Sequence, residues 1–217
     1  RDRRGVAVMQ LPGQETRLNI HRVNEGRSSA VLYFGGNAEA VALGAPEFGR
    51  ALREHTIYFM NYRGYGGSEG KPGEQALYED ALTLYDHVAS SHQQVSVIGR
   101  SLGSAVAIYL ASKRALDKLV LITPFDSLEN VAHSHYPVYP VSIMLRDKYD
   151  AISRVAGIDE STLIMIAAND RIVPPAHANA LASVFPAEQL TVRAIADVGH
   201  NTISAHPEYY RIIRNFL

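Results

Sequence analysis

Apolar positions along this chain follow two alternating patterns. Short unbroken runs, such as Ala30-Val31-Leu32-Tyr33-Phe34 and Leu163 to Ala168, suit strands buried on both faces of a sheet, and Val95-Ser96-Val97-Ile98, apolar but for Ser96, reads as another strand. Between them, apolar residues recur at helical spacing over 38–54, 74–90, 102–114, 175–184 and 207–217. Further strands are expected over Thr56 to Asn61, Lys118 to Thr123 and Leu190 to Ile195. Gly5 to Leu11 and Arg17 to Val23 read as two strands about Pro12-Gly13-Gln14, the second alternating as a half-solvated antiparallel strand does. Strands that alternate with helices predict an α/β fold: a mostly parallel, doubly wound sheet of about eight strands, helices on both faces, ligands at the strands' C-terminal ends. One segment breaks the rhythm. Residues 125–160 are rich in proline, tyrosine and histidine, and read as a lid-like insertion with one or two short helices in a single domain covering 1–217.

Composition narrows the function classes. A chain of 217 residues, 47% apolar and 20% charged, suits one soluble-type domain with a substantial core. The formal charge of -1 supplies no basic face, so nucleic acid is not an expected partner. No apolar run approaches the roughly 18 residues a membrane span needs. The chain begins Arg1-Asp2-Arg3-Arg4 rather than with Met, so membrane association is expected only through a segment upstream of Arg1. Cysteine is absent, which excludes disulfides, thiolate metal sites and cysteine nucleophiles while leaving the compartment open.

The chemistry centres on Gly99-Arg100-Ser101-Leu102-Gly103, a Gly-x-Ser-x-Gly pentapeptide between a predicted strand and a predicted helix. That context puts a serine on a sharp strand-to-helix turn, with the two glycines letting strand and helix approach. A serine hydroxyl needs a base, and the base needs an orienting carboxylate, in the chain order serine, acid, histidine for doubly wound sheets. His200 follows the last strand in Asp197-Val198-Gly199-His200-Asn201, and Asp170 stands directly behind a buried strand in Asn169-Asp170-Arg171. Asp126, after the preceding strand, is the rival acid, although Pro124-Phe125-Asp126-Ser127-Leu128 reads better as a helix cap. Backbone N–H groups of Leu102 and of Asn37, in the loop after the first buried parallel strand, are the expected oxyanion donors.

Five separated stretches stand out: the elbow through Ala105, Phe34-Gly35-Gly36-Asn37-Ala38, the loop from Asn61 to Gly70, Asn169-Asp170-Arg171-Ile172-Val173-Pro174 and Gly199-His200-Asn201. Together they resemble the α/β-hydrolase superfamily, and more narrowly its bud-emergence-related, serine-aminopeptidase-like subgroup. Relatives commonly carry His-Gly-Asn-Ala-Gly in the oxyanion loop, where this chain has Gly35-Gly36-Asn37-Ala38-Glu39. The resemblance implies a membrane anchor in some members and cleavage of thioesters or lipid esters in others.

The residues lead to a serine hydrolase that acts on esters or thioesters of a small or acyl-chain substrate, with no cofactor and no metal. A peptidase or acyltransferase on the same residues, or a binding protein with a vestigial site, are the alternatives. Tyr62, Phe125, Tyr136, Tyr139, Ile143 and Met144, with Val138, are candidates for an apolar wall over Ser101. His133 and His135 lack accompanying carboxylates at ligand spacing and read as surface residues. The glycines of Gly64-Tyr65-Gly66-Gly67 read as turn formers, and Arg63 and Arg100 as structural donors.

Overall fold

A computed structural model describes residues 7–11 and 16–217. The expected turn at Pro12-Gly13-Gln14 and the start of the first strand at Gly5 lie outside the described residues. One eight-stranded sheet runs in the order β1-β2-β4-β3-β5-β6-β7-β8. Its strands are β1 (Ala7–Gln10), β2 (Asn19–Val23), β3 (Ser29–Phe34), β4 (His55–Met60), β5 (Gln94–Arg100), β6 (Leu119–Ile122), β7 (Thr162–Ala167) and β8 (Leu190–Ile195). β2 pairs antiparallel with β1 and β4, and every other pairing is parallel.

Alternation along the strands decides which face each side chain joins. Ala30, Leu32 and Phe34 of β3 pack with α2 (Glu74–Ala89), α3 (Leu102–Ala111) and α6 (Pro175–Ala182) on one face. Val31 and Tyr33 pack with α1 (Ala45–Ala51) and α7 (Tyr209–Phe216) on the other. α3 is apolar nearly all round and correspondingly buried, from Gly103 through Ile108 and at Leu110 and Ala111.

The expected helix over 38–54 is shorter. Glu39 folds back on Gly36, Ala38 takes a positive φ of 56°, and a 3₁₀ turn at Val41–Leu43 precedes α1. Pro46, which lacks an N–H, sits where α1 starts and needs none. The break at 125–160 is as irregular as its composition: α4 (Leu128–His135), the single turn α5 (Val141–Met144) and a 3₁₀ stretch at Ile152–Gly157. Because β3 to β8 run parallel, the loops holding Asn37, Tyr62, Ser101, Phe125, Asp170 and His200 all leave the same edge of the sheet.

Candidate active site

Ser101 stands between β5 and α3 with φ 51° and ψ −118°. For a residue with a Cβ this backbone costs about 1–3 kcal/mol, and it persists only where the surroundings hold it. Here two close approaches do so. A Cβ on Gly103 would lie 2.0 Å from the Phe34 carbonyl oxygen, and one on Gly99 would lie 2.4 Å from the Gly103 carbonyl oxygen. Helix and strands are pressed together as only glycine allows, and the serine is thrust out at the turn.

The structure brings Ser101, His200 and Asp170 together from three loops. Ser101 Oγ lies 2.9 Å from His200 Nε2, and His200 Nδ1 lies 2.7 Å from Asp170 Oδ2. Asp170 accepts through its second oxygen from the N–H groups of Ile172 (2.9 Å) and Val173 (2.8 Å). Those two bonds fix the carboxylate, so Nδ1 of His200 must be the donor and Nε2 the acceptor that faces the serine. Among the described residues the Ser101 hydroxyl has no acceptor but His200. Asp170 and His200 are both buried, at 6% and 8% exposure, which keeps this pair in a low-dielectric setting.

Asn37, Leu102 and Ser101 line one cavity of about 520 Å³. Leu102 opens α3, where first-turn N–H groups have no intrahelical acceptor. The Asn37 N–H likewise donates to no acceptor among the described residues. Tyr62 and Phe125 line the same cavity, as do Leu77, Leu128, Val131 and Val173, which makes its wall mostly apolar. The Tyr62 hydroxyl donates to the Gly35 carbonyl at 2.8 Å, and burial holds its phenol well above the ordinary value, so it stays a neutral donor.

Other expected wall residues lie elsewhere. Tyr136, Tyr139, Ile143 and Met144 do not line the cavity; they are 55–84% exposed, and Val138 is 86% exposed. Their apolar character follows from composition, but Tyr136, Val138 and Tyr139 lie in the exposed stretch after α4, and α5, which holds Ile143 and Met144, is a single turn with no buried residue. The insertion contributes Leu128, Val131, Leu145 and Tyr149 to the wall instead, none of which sequence reasoning singled out.

Asp126 faces a different histidine. Its Oδ1 accepts from His177 Nδ1 at 2.8 Å, its Oδ2 accepts from Asn130 Nδ2 at 2.6 Å, and His177 Nε2 lies 3.1 Å from Ser134 Oγ. The helix cap expected at Asp126 belongs to Ser127, which accepts from the Asn130 N–H at 3.0 Å. His135 donates to the Ile172 carbonyl at 2.9 Å, tying α4 to the Asp170 loop. Arg63 grips the fully buried Asp80 with two bonds of 2.8 Å. Asp197 sits at a positive φ of 57° in the turn before His200.

A serine on a strained strand-to-helix turn after a central strand, joined to an acid and a histidine from later strand ends, places the molecule among the α/β-hydrolases. Solved structures agree on the fold. The Pyrococcus furiosus esterase Pf2001 superposes with a TM-score of 0.76 at 18% identity, covering 98% of this chain and 91% of its own. VinJ superposes at 0.77 and 13% identity, covering 98% of both chains. Within that class the chain belongs to the serine aminopeptidase family S33, whose model matches residues 29–146. That span contains Ser101 and Asn37 but neither Asp170 nor His200. An uncharacterized Mycobacterium tuberculosis protein is 35% identical over 182 residues, 81% of this chain and 64% of its own. Protein bem46 of Schizosaccharomyces pombe is 29% identical over 202 residues, 86% of this chain and 66% of its own. The chain thus spans about two thirds of these relatives' length.

Proposed function

We propose that this chain is a serine hydrolase that cleaves carboxylic esters or thioesters of a small or acyl-chain substrate through an acyl-enzyme. The observation that carries the reading is the Ser101 hydroxyl, on a strained elbow, with His200 Nε2 at 2.9 Å as its acceptor. His200 takes the Oγ proton as Oγ attacks the substrate carbonyl carbon, and the carbonyl electron pair moves onto oxygen. The N–H groups of Asn37 and Leu102 hold that oxyanion, each worth on the order of 3 kcal/mol. Asp170 stabilises the imidazolium that has formed. Collapse expels the alkoxide or thiolate, which takes the proton from His200. Water then repeats the sequence on the acyl-enzyme, releasing the acid and restoring Ser101.

The apolar wall of Leu77, Phe125, Leu128, Val131 and Val173 supports an acyl group rather than a charged peptide terminus beside Ser101. The family description favours a second reading, an aminopeptidase on the same residues. Stopped-flow hydrolysis of p-nitrophenyl butyrate and of a short acyl thioester, beside an aminopeptidase substrate panel, separates the two. The proposal expects a nitrophenol burst that Ser101→Ala abolishes. Turnover confined to the aminopeptidase substrates would overturn the ester reading, and no turnover of any of them would leave a binding protein.

A further inference from the structure

Glu39 touches both ends of Gly36. Its Oε2 accepts from the Gly36 N–H at 2.7 Å, and its own N–H donates to the Gly36 carbonyl at 3.2 Å. Across a trans peptide the N–H points opposite to the carbonyl. With the Gly36 carbonyl held toward Glu39, the N–H of Asn37 is turned away from it, on a loop where a Cβ at Gly36 would lie 3.5 Å from Ser101 Cβ. The remaining carboxylate oxygen accepts from the Tyr33 hydroxyl at 2.8 Å.

The same carboxylate continues to the other loops. Arg100 Nη1 lies 3.2 Å from Glu39 Oε2, and Arg100 Nη2 donates to the His200 carbonyl at 3.1 Å. Arg100 is the residue before Ser101. A single run of contacts therefore joins the Gly36–Asn37 peptide, the nucleophile's neighbour and the backbone of the histidine. The side chains are only 14% (Arg100) and 20% (Glu39) exposed, so solvent screens the pair weakly.

We propose that Glu39 and Arg100 form a clamp that aims the Asn37 N–H and holds the His200 loop in register with Ser101. They are positioning residues, and the inference rests on the serine-hydrolase reading for its catalytic consequence only. Glu39→Ala is expected to lower kcat for p-nitrophenyl butyrate roughly 10- to 100-fold, with KM changed less than about threefold. Glu39→Gln, which keeps an oxygen for the Gly36 N–H, recovers most of that loss. Arg100→Met lowers kcat in the same way, and Glu39→Ala/Arg100→Met is no worse than the poorer single variant, because both act through one device. Amide hydrogen exchange reads the clamp independently of turnover: faster exchange over 34–40 in Glu39→Ala and over 197–203 in Arg100→Met. Unchanged exchange in both segments, or losses in kcat that multiply in the double variant, would overturn the clamp. An inactive wild-type chain whose variants show the expected exchange would overturn the hydrolase reading and leave the clamp standing.

Discussion

Among the described residues, two serine–histidine–aspartate clusters have distances that barely differ. Ser101, His200 and Asp170 are linked at 2.9 and 2.7 Å; Ser134, His177 and Asp126 are linked at 3.1 and 2.8 Å. Their surroundings differ completely. Ser101 is held at a positive φ by glycine-lined contacts, directly precedes a helix and faces a cavity, and its hydroxyl has one acceptor among the described residues. Ser134 lies within α4, and its hydroxyl donates back to the Val131 carbonyl at 2.8 Å. It does not line the cavity that holds Ser101. Asp126 is further occupied by Asn130, in a contact that ties α4 to its own start. Shared residue types and hydrogen-bond lengths are therefore not what sets the first cluster apart; backbone strain, a free proton path and flanking N–H groups are.

The comparison breaks most sharply at the two serines. Ser101→Ala should lower kcat/KM for an activated ester by about 10⁴-fold or more, while Ser134→Ala stays within about twofold, both read by steady-state hydrolysis. The acids come next. Asp170→Asn should cost roughly 10³- to 10⁴-fold, since the amide no longer holds His200 in the tautomer that faces the serine. Asp126→Asn should change activity less than about threefold. If Asp126→Asn were instead the crippling variant, the acid would have been assigned to the wrong strand end.

Stability separates the clusters in the opposite sense. His177→Ala should lower the unfolding free energy by about 1–3 kcal/mol in urea titration, because it leaves the buried Asp126 carboxylate short of a partner, with kcat unchanged. The elbow has its own stability test. Gly103→Ala should cost about 3 kcal/mol, because its Cβ meets the Phe34 carbonyl oxygen at 2.0 Å. The smallest effect belongs to the exposed tip of the insertion, where Ile143→Ser should shift stability by less than about 0.5 kcal/mol.

These differences explain what could be seen in the chain before its structure. Strand runs such as Ala30 to Phe34 are legible because burial on both faces leaves no polar position, and the parallel sheet follows from their alternation with helices. Ser101, Asp170 and His200 are legible because each is embedded in a short motif at a strand end, where the backbone need for glycine or proline marks the place. Asp126 stands at a strand end beside Pro124 and is legible as a rival acid, but Ser134 and His177 carry no such mark; the three meet only when α4, α6 and the β6 loop pack. Glu39 folds back on Gly36 in a local turn that no motif marks, and Arg100, legible as a structural donor, finds its partners Glu39 and His200 only when the loops meet. Tyr136, Tyr139, Ile143 and Met144 misled for a related reason. Composition says that a side chain is apolar, and only the packing of the folded segment fixes which way it faces.

Of the two clusters, only the one at Ser101 is expected to hold a nucleophile. Labelling the intact chain with a fluorophosphonate and mapping the adduct by tandem mass spectrometry of tryptic peptides tests it directly. The peptide covering 101–113 carries Ser101, and the peptide covering 119–146 carries Ser134. A single adduct is expected, on Ser101, that disappears in Ser101→Ala and His200→Ala and persists in Ser134→Ala. An adduct on Ser134, or labelling that survives Ser101→Ala, would contradict it.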